Sequence, residues 1–266
     1  MRIALLLAAS LLAAEPEIHF TAVPQTLIEA RLAAYKRKNP EREPAIRALF
    51  EQAGCSGEKI TEQPVRGLKA PNLICISRGE TDSQIVVGAH FDLVDVGNGV
   101  VDNWTGAALL PSFYESLTKI PRKHTFVFVA FSGEEKGMIG SKAYVKQLGP
   151  EVARVKAMVN LDTLGLAESE VWVSHADKDL VNWIGIAAGM MKLPLGAMNV
   201  DGVGSTDSES FREKKIPAIT IHSLTSATLR ILHSPADRIE AVRVDEYYRT
   251  YQLVAGYLSL LDQVLD

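Results

Sequence analysis

Ile85-Val86-Val87-Gly88-Ala89-His90-Phe91-Asp92 is the stretch that decides how this chain is read. Five consecutive small or apolar residues without polar alternation describe a strand buried on both faces, as in a parallel sheet covered by helices. The run delivers an imidazole and a carboxylate at its carboxyl end. Three further apolar runs end in the same way. Phe126 to Phe131 leads into Ser132-Gly133-Glu134-Glu135, Met158 to Leu161 into Asp162, and Ile219 to Ile221 into His222. Ligands of open α/β sheets bind beyond the carboxyl ends of the strands, so this chain sends His, Asp and Glu to one edge from several strands.

Outward from these runs, helical and strand-length segments alternate. Trp104 to Lys119, Met138 to Leu148, Leu180 to Lys192 (closed by Pro194) and Val242 to Leu265 carry helical periodicity. Thr125 to Phe131, Lys156 to Leu161, Val171 to Ser174 and Ala218 to Ile221 read as strands. Leu27 to Ala53 has helical spacing interrupted by Asn39-Pro40 and Pro44, which predicts two helices. The order predicts an α/β fold: three α/β/α layers around a mixed, mostly parallel central sheet. With no internal repeat and no low-complexity linker, residues 15–266 are expected to form a single domain.

The chain has 266 residues, 47% hydrophobic and 23% charged, with a formal net charge of −4. That composition excludes a disordered or disulfide-dense chain, and the charge offers no field to draw in nucleic acid or anionic lipid. The basic run Tyr35-Lys36-Arg37-Lys38 is followed by Glu41 and Glu43 and reads as a solvated helix end. Met1-Arg2, the apolar stretch Ile3 to Ala14 and the break at Glu15-Pro16-Glu17 read as a signal peptide over 1–14. A bilayer needs about 20 apolar residues, more than this stretch supplies. The expectation is a periplasmic or secreted protein without stable membrane insertion. In an oxidising compartment Cys55 and Cys75, the only cysteines, are expected to form one disulfide; the alternative is two buried thiols. Gln63 to Leu73 between them reads as two short strands and a turn that can bring the pair together.

A mixed His/Asp/Glu set is what a hydrolytic zinc site uses, with donors at about 2.0–2.2 Å and one position open for water. His90 and Asp92, two apart on an extended segment, share a face. Asp92 can therefore accept the second N–H of a ligating His90 and fix its tautomer. Adjacent Glu134 and Glu135 must diverge, so one can ligate while the other faces substrate. Asp102 precedes a helix and also reads as an N-cap. His222 and His233 both lie late in the chain, and either could ligate. His19, His124 and His175 stand in no comparable setting and read as structural or exposed.

Five segments carry a resemblance in their order: Gly88-Ala89-His90-Phe91-Asp92, Val101-Asp102-Asn103, Phe131-Ser132-Gly133-Glu134-Glu135-Lys136-Gly137, Asn160-Leu161-Asp162 and Leu232-His233-Ser234-Pro235-Ala236-Asp237. Together they resemble the signature of the co-catalytic di-zinc aminopeptidases of metallopeptidase clan MH, a family that includes the glutaminyl cyclases. The resemblance runs from about Ile85 to Val242. It implies a zinc exopeptidase-like fold, two Zn ions per chain and peptide substrates with a free N-terminus. By resemblance His90 and Asp162 hold one zinc, Glu135 and His233 the other, and Asp102 bridges them, which displaces the N-cap reading. Glu134 becomes the general base and acid, Asp92 orients His90, and His222 becomes a pocket or supporting residue.

Two departures from that pattern bear on substrate. Trp104 stands where small residues usually follow the bridging Asp-Asn, and either narrows the site or packs under it. Thr206-Asp207-Ser208 stands where Ser-Asp-His is common, so Asp207 is kept and the His is lost; Asp207, His222 and Trp104 are the candidate substrate residues. The rival readings are a glutaminyl cyclase-type acyltransferase using one zinc and a non-catalytic peptide-binding module.

Overall fold

Alternation along the central strands assigns the two faces of the sheet. In β3 (Gln84–His90), Ile85, Val87 and Ala89 enter one core and Val86 the other. In β4 (Thr125–Phe131), Phe126, Phe128 and Ala130 enter the first core, and Val127, Val129 and Phe131 the second. β5 (Val155–Leu161) and β8 (Ala218–His222) divide in the same manner, Val159 and Ile219 to one side, Met158 and Ala218 to the other. Two apolar faces leave no solvated side, which is why these strands read as unbroken apolar runs.

The computed structural model describes residues 15–266 except Val203. The expected signal peptide over 1–14 lies outside the described residues. The sheet has eight strands in the order β1-β2-β4-β3-β5-β8-β6-β7, where β1 is Ile60–Gln63, β2 Asn72–Ser77, β6 Ser169–Val171 and β7 Leu195–Ala197. β4, β3, β5 and β8 run parallel, while β1 and β2 form an antiparallel margin and β6 runs antiparallel to β8. The sheet is therefore mixed with a parallel centre, as expected.

One face is covered by α1 (Gln25–Ala33), α2 (Asn39–Gln52), α3 (Thr105–Leu117), α5 (Lys178–Met191) and α7 (Val244–Val264), the other by α4 (Ile139–Leu148) and α6 (Ser208–Arg212). Buried tyrosines of α7 spend their hydroxyls on the frame. Tyr247 donates to Thr105 O at 2.7 Å and Tyr257 to Leu180 O at 3.0 Å. A buried hydroxyl left unpaired costs about 1–3 kcal/mol, so these bonds fix where α3 and α5 start relative to α7. No helix among the described residues is long and apolar enough to cross a membrane.

Most departures from the sequence reading are at boundaries. Pro40 occupies the first turn of α2, where its missing N–H costs nothing, and Pro44 lies within the same helix without ending it. The strand expected over Val171 to Ser174 is instead Ser169–Val171, followed by a single helical turn at Val173–His175. β7 carries only Leu-Gly-Ala, too short to give a periodicity, and it pairs with β6 at the sheet margin.

Cys55 and Cys75 are joined by a disulfide with a Cα–Cα separation of 6.3 Å. The antiparallel register sets Ile60 opposite Cys75, which returns the chain just before β1 to the side of β2. The bridge closes a sequence separation of 20. Loop-closure entropy of that size is worth about 3 kcal/mol. The double variant Cys55→Ser/Cys75→Ser should therefore melt roughly 6–12 °C lower in a calorimetric scan.

Candidate metal centre

The carboxyl edge of the parallel strands collects the charged residues. His90 is the last residue of β3, Glu134 and Glu135 follow β4 after a two-residue turn, Asp162 follows β5 directly, and His222 ends β8. Asp102 enters from the turn before α3, and His233 from the loop between β8 and α7. Three overlapping donor groups form, His90/Asp102/Asp162, Asp102/Glu135/His233 and His90/Glu134/Glu135, each with ligand atoms within 4.8 Å of one another; the first two share a carboxylate. Asp102 belongs to both. Its Oδ1 lies 3.2 Å from His90 Nε2 and its Oδ2 lies 3.2 Å from His233 Nε2. His233 Nε2 is also 3.1 Å from Glu135 Oε2, and His90 Nε2 is 3.9 Å from Asp162 Oδ1. Glu134 stands over the first group, its Oε2 3.9 Å from His90 Nε2.

Local chemistry explains how each donor is aimed. Asp92 receives the backbone N–H of Glu134 at 3.1 Å and of Glu135 at 3.3 Å, so one carboxylate holds the turn that presents both glutamates. The same turn passes through Gly133 at φ 73°, where a Cβ would meet Leu68 at 2.4 Å. Asp92 also faces His90 Nδ1 at 3.6 Å, longer than a hydrogen bond. The N-cap reading of Asp102 is not realised, because Asn103 Oδ1 takes the Gly106 N–H at 3.1 Å instead. Asn103 further accepts from Thr163 N and donates to Leu161 O at 2.8 Å, tying the Asp102 turn to the end of β5. Asp162 is held by Thr206 Oγ1 at 2.8 Å and Thr163 Oγ1 at 3.1 Å.

Charge balance tests whether this arrangement suits a cation. Burial pushes Glu134 up to about 9, with Asp207 and Asp162 adding to it. Burial and Asp102 push Glu135 up to about 7. Asp102 raises His233 to about 9, and Asp102 and Asp92 raise His90 despite its burial. Protons thus stand where positive charge is wanted, and Glu135 Oε1 is buried with no hydrogen-bond partner among the described residues. Imidazole nitrogen with carboxylate oxygen in groups of three is a zinc-type donor set with a position left for water. The residues fit a pair of divalent ions.

A cavity of about 340 Å³ opens over these donors. His222 lines it, as expected, but its Nε2 faces Met198 O at 3.0 Å and its Nδ1 accepts from Leu224 N at 3.1 Å. Burial lowers it to about 4, so it presents a neutral ring face. Trp104 takes the second of its two expected places, and Asp207 departs from the substrate reading. Trp104 is fully buried and donates to Arg31 O at 3.3 Å, so it packs under the site rather than narrowing it. Asp207 is 1% exposed and does not line the cavity, and among the described residues both of its carboxylate oxygens lack hydrogen-bond partners. His124 is fully buried against Asp262, and His175 stacks on Trp172 at 4.4 Å.

Sequence reasoning overlooked Asp237. Its carboxylate accepts from Val101 N at 2.7 Å and Asp102 N at 3.2 Å, and its carbonyl accepts from Asn98 N at 2.8 Å. The loop bearing His233 is thereby locked to the turn bearing Asp102. The signal was present, since Asp237 closes the His-Ser-Pro-Ala-Asp segment. Thr206, which aligns Asp162, carried no comparable signal.

Residues 72–258 match Peptidase family M28. Aminopeptidase YwaD of Bacillus subtilis (strain 168) is 27% identical over 204 residues, covering 74% of this chain and 44% of that protein. The chain thus spans less than half the length of that curated relative. Among solved structures, the LapA aminopeptidase of Legionella pneumophila superposes with a TM-score of 0.79 at 20% identity, over 98% of this chain and 82% of that one. A glutaminyl cyclase from an Acidobacteriales bacterium superposes with a TM-score of 0.72 at 15% identity, over 96% and 99%. At these identities the two structures share the fold.

Proposed function

Because this chain belongs to peptidase family M28, we propose that it is a zinc-dependent aminopeptidase, exported from the cytoplasm, that hydrolyses the N-terminal residue of peptides. One observation carries the reading. Two donor groups share Asp102 at the floor of a cavity, with the carboxylate of Glu134 beside them, outside both groups that contain Asp102. His90, Asp102 and Asp162 would hold one zinc, and Asp102, Glu135 and His233 the other. When bound, zinc supplies Lewis acidity toward the scissile carbonyl and a positive field that returns the neighbouring carboxyls to their ionised forms.

Glu134 then takes one proton from the attacking water and passes it to the leaving amine, so that acid and amine products balance. Asp92 keeps Glu134 and Glu135 diverging by holding both of their amides. Asp207 backs Glu134 from within the protein and does not touch substrate. The cavity beyond the donors is bounded by Met138, Trp172, Val200, Leu224 and Leu232, with no Lys or Arg lining it among the described residues. An uncharged, apolar N-terminal side chain suits that wall. Export is supported by the disulfide and by the signal-like segment 1–14.

The test is a panel of aminoacyl amides, dipeptides and N-terminal Gln peptides, run with and without chelator. Chelator-sensitive release of apolar N-terminal residues is expected. Conversion of the Gln peptides to pyroglutamyl products, with one zinc per chain, would replace this reading by the cyclase, whose fold this chain shares over 99% of the cyclase's length. Inertness toward the whole panel with zinc bound would leave only a binding module.

Zinc uptake should also depend on pH. His233 ligates only when neutral, yet Asp102 raises it to about 9 in the metal-free protein. Binding must displace that proton at any pH below this value, so affinity should rise about tenfold per pH unit for each proton displaced. Zinc titrations at pH 6, 7 and 8 measure the slope; a flat result removes His233 from the ligand set.

A further inference from the structure

Arg42 of α2 is fully buried beside the loop that runs from Asp92 to Asp102. Its Nε donates to Lys36 O at 2.8 Å and Nη1 to Phe91 O at 2.8 Å. Nη2 donates to Asn98 O at 2.9 Å and to Gly99 O. The guanidinium carbon lies 5.5 Å from the centre of the Trp104 ring. Among the described residues every acceptor of this cation is a main-chain carbonyl. Buried charges are ordinarily paired with opposite charge. Here the compensation comes from the field of Asp237, Asp92, Asp102 and Glu135, which opposes the lowering by burial to about 10.

We propose that Arg42 is a positioning residue for the metal centre: its planar fork clamps the carbonyl of Phe91 on one arm of the loop and those of Asn98 and Gly99 on the other, and so sets the separation between His90–Asp92 and Asp102. The loop is shaped around the clamp. Gly99 has φ 56°, and a Cβ there would lie 2.5 Å from Leu93 Cβ and 2.9 Å from Arg42 Nη2. Asn39, at the start of the same helix, fixes the loop from below, donating to Leu93 O at 2.9 Å and accepting from Leu93 N at 3.0 Å. Lysine cannot substitute, because one ammonium cannot reach carbonyls on both arms with a fixed geometry. α2 lies outside the 72–258 match, so the support comes from a segment beyond the family pattern.

The proposal rests on the zinc reading above, and its test separates the two. Wild type, Arg42→Lys, Arg42→Met and Gly99→Ala are titrated with zinc against a chelator of known affinity. Circular dichroism, kcat and KM are recorded at several zinc concentrations. Arg42→Lys should fold, bind zinc roughly 10–100-fold more weakly, and regain kcat at high zinc with KM unchanged. Gly99→Ala, which retains the guanidinium but presses on the clamp, should weaken zinc in the same direction and carries the test if the Arg42 variants do not fold. Wild-type zinc affinity in the folded variants, with only a lower melting temperature, overturns the proposal. A wild-type chain that takes up no zinc overturns the metal reading itself, and this proposal with it.

Discussion

Glu134→Ala is expected to keep the fold and its zinc while lowering kcat roughly 10²–10⁴-fold, the range for removing a positioned general base. Glu134 stands 3.9 Å from His90 Nε2 but belongs to neither group that contains Asp102, so its loss leaves both intact. Stability supplies a second readout with a definite sign. In the metal-free protein burial raises the Glu134 pKa to about 9 from an ordinary 4.5. Between those values the unfolded chain binds fewer protons than the folded one, so this residue costs increasing stability as pH rises. The metal-free Ala variant should therefore melt no lower than wild type at pH 8. Full turnover in this variant would remove Glu134 from the proposed chemistry; loss of zinc would make it a ligand instead.

His233→Ala should lose metal and rate together. His233 is the exposed member of its group, with a side-chain exposure of 56%, so its removal leaves little unpacked apolar surface. It nevertheless reaches Asp102 at 3.2 Å and Glu135 at 3.1 Å, and without it that group retains two carboxylates alone. Zinc affinity at that position should fall by more than the ~10–100-fold typical of losing an outer partner. Elemental analysis after dialysis should find one zinc per chain in this variant and, on the proposed reading, two in wild type. The fold should persist, because Asp237, not His233, locks the loop to the Asp102 turn. Undiminished zinc content in this variant would return the choice to His222, whose ring nitrogens are both engaged within the protein.

Much of the candidate centre was legible because its residues follow strands. A strand fixes where its last residue emerges, so His90, Glu134, Glu135 and Asp162 could be placed on one edge from sequence alone. Asp102 and His233 arrive from loops, and only resemblance distinguished an N-capping Asp from a bridging one or His233 from His222. Asp207, a candidate substrate residue, and Trp104, for which packing under the site was one of two open readings, are both buried for a common reason. Nearness in sequence to a site says nothing about which side of the backbone a side chain takes, and both point into the protein.

The apolar runs and their spacing by themselves determined the layered α/β architecture, its parallel centre, and the edge that receives the acidic and imidazole groups. Burial of an unbroken run admits few arrangements, and that constraint is local. Tertiary structure alone decided that Asp237 couples two distant loops and that Arg42 sits inside the Asp92–Asp102 turn. The bonds of Arg42 and Asp237 to the Phe91–Asp102 segment join residues from 49 (Arg42 to Phe91) to 139 (Asn98 to Asp237) positions apart through a few hydrogen bonds each. Such contacts leave no periodic trace in the chain, because each depends on where whole elements have already packed.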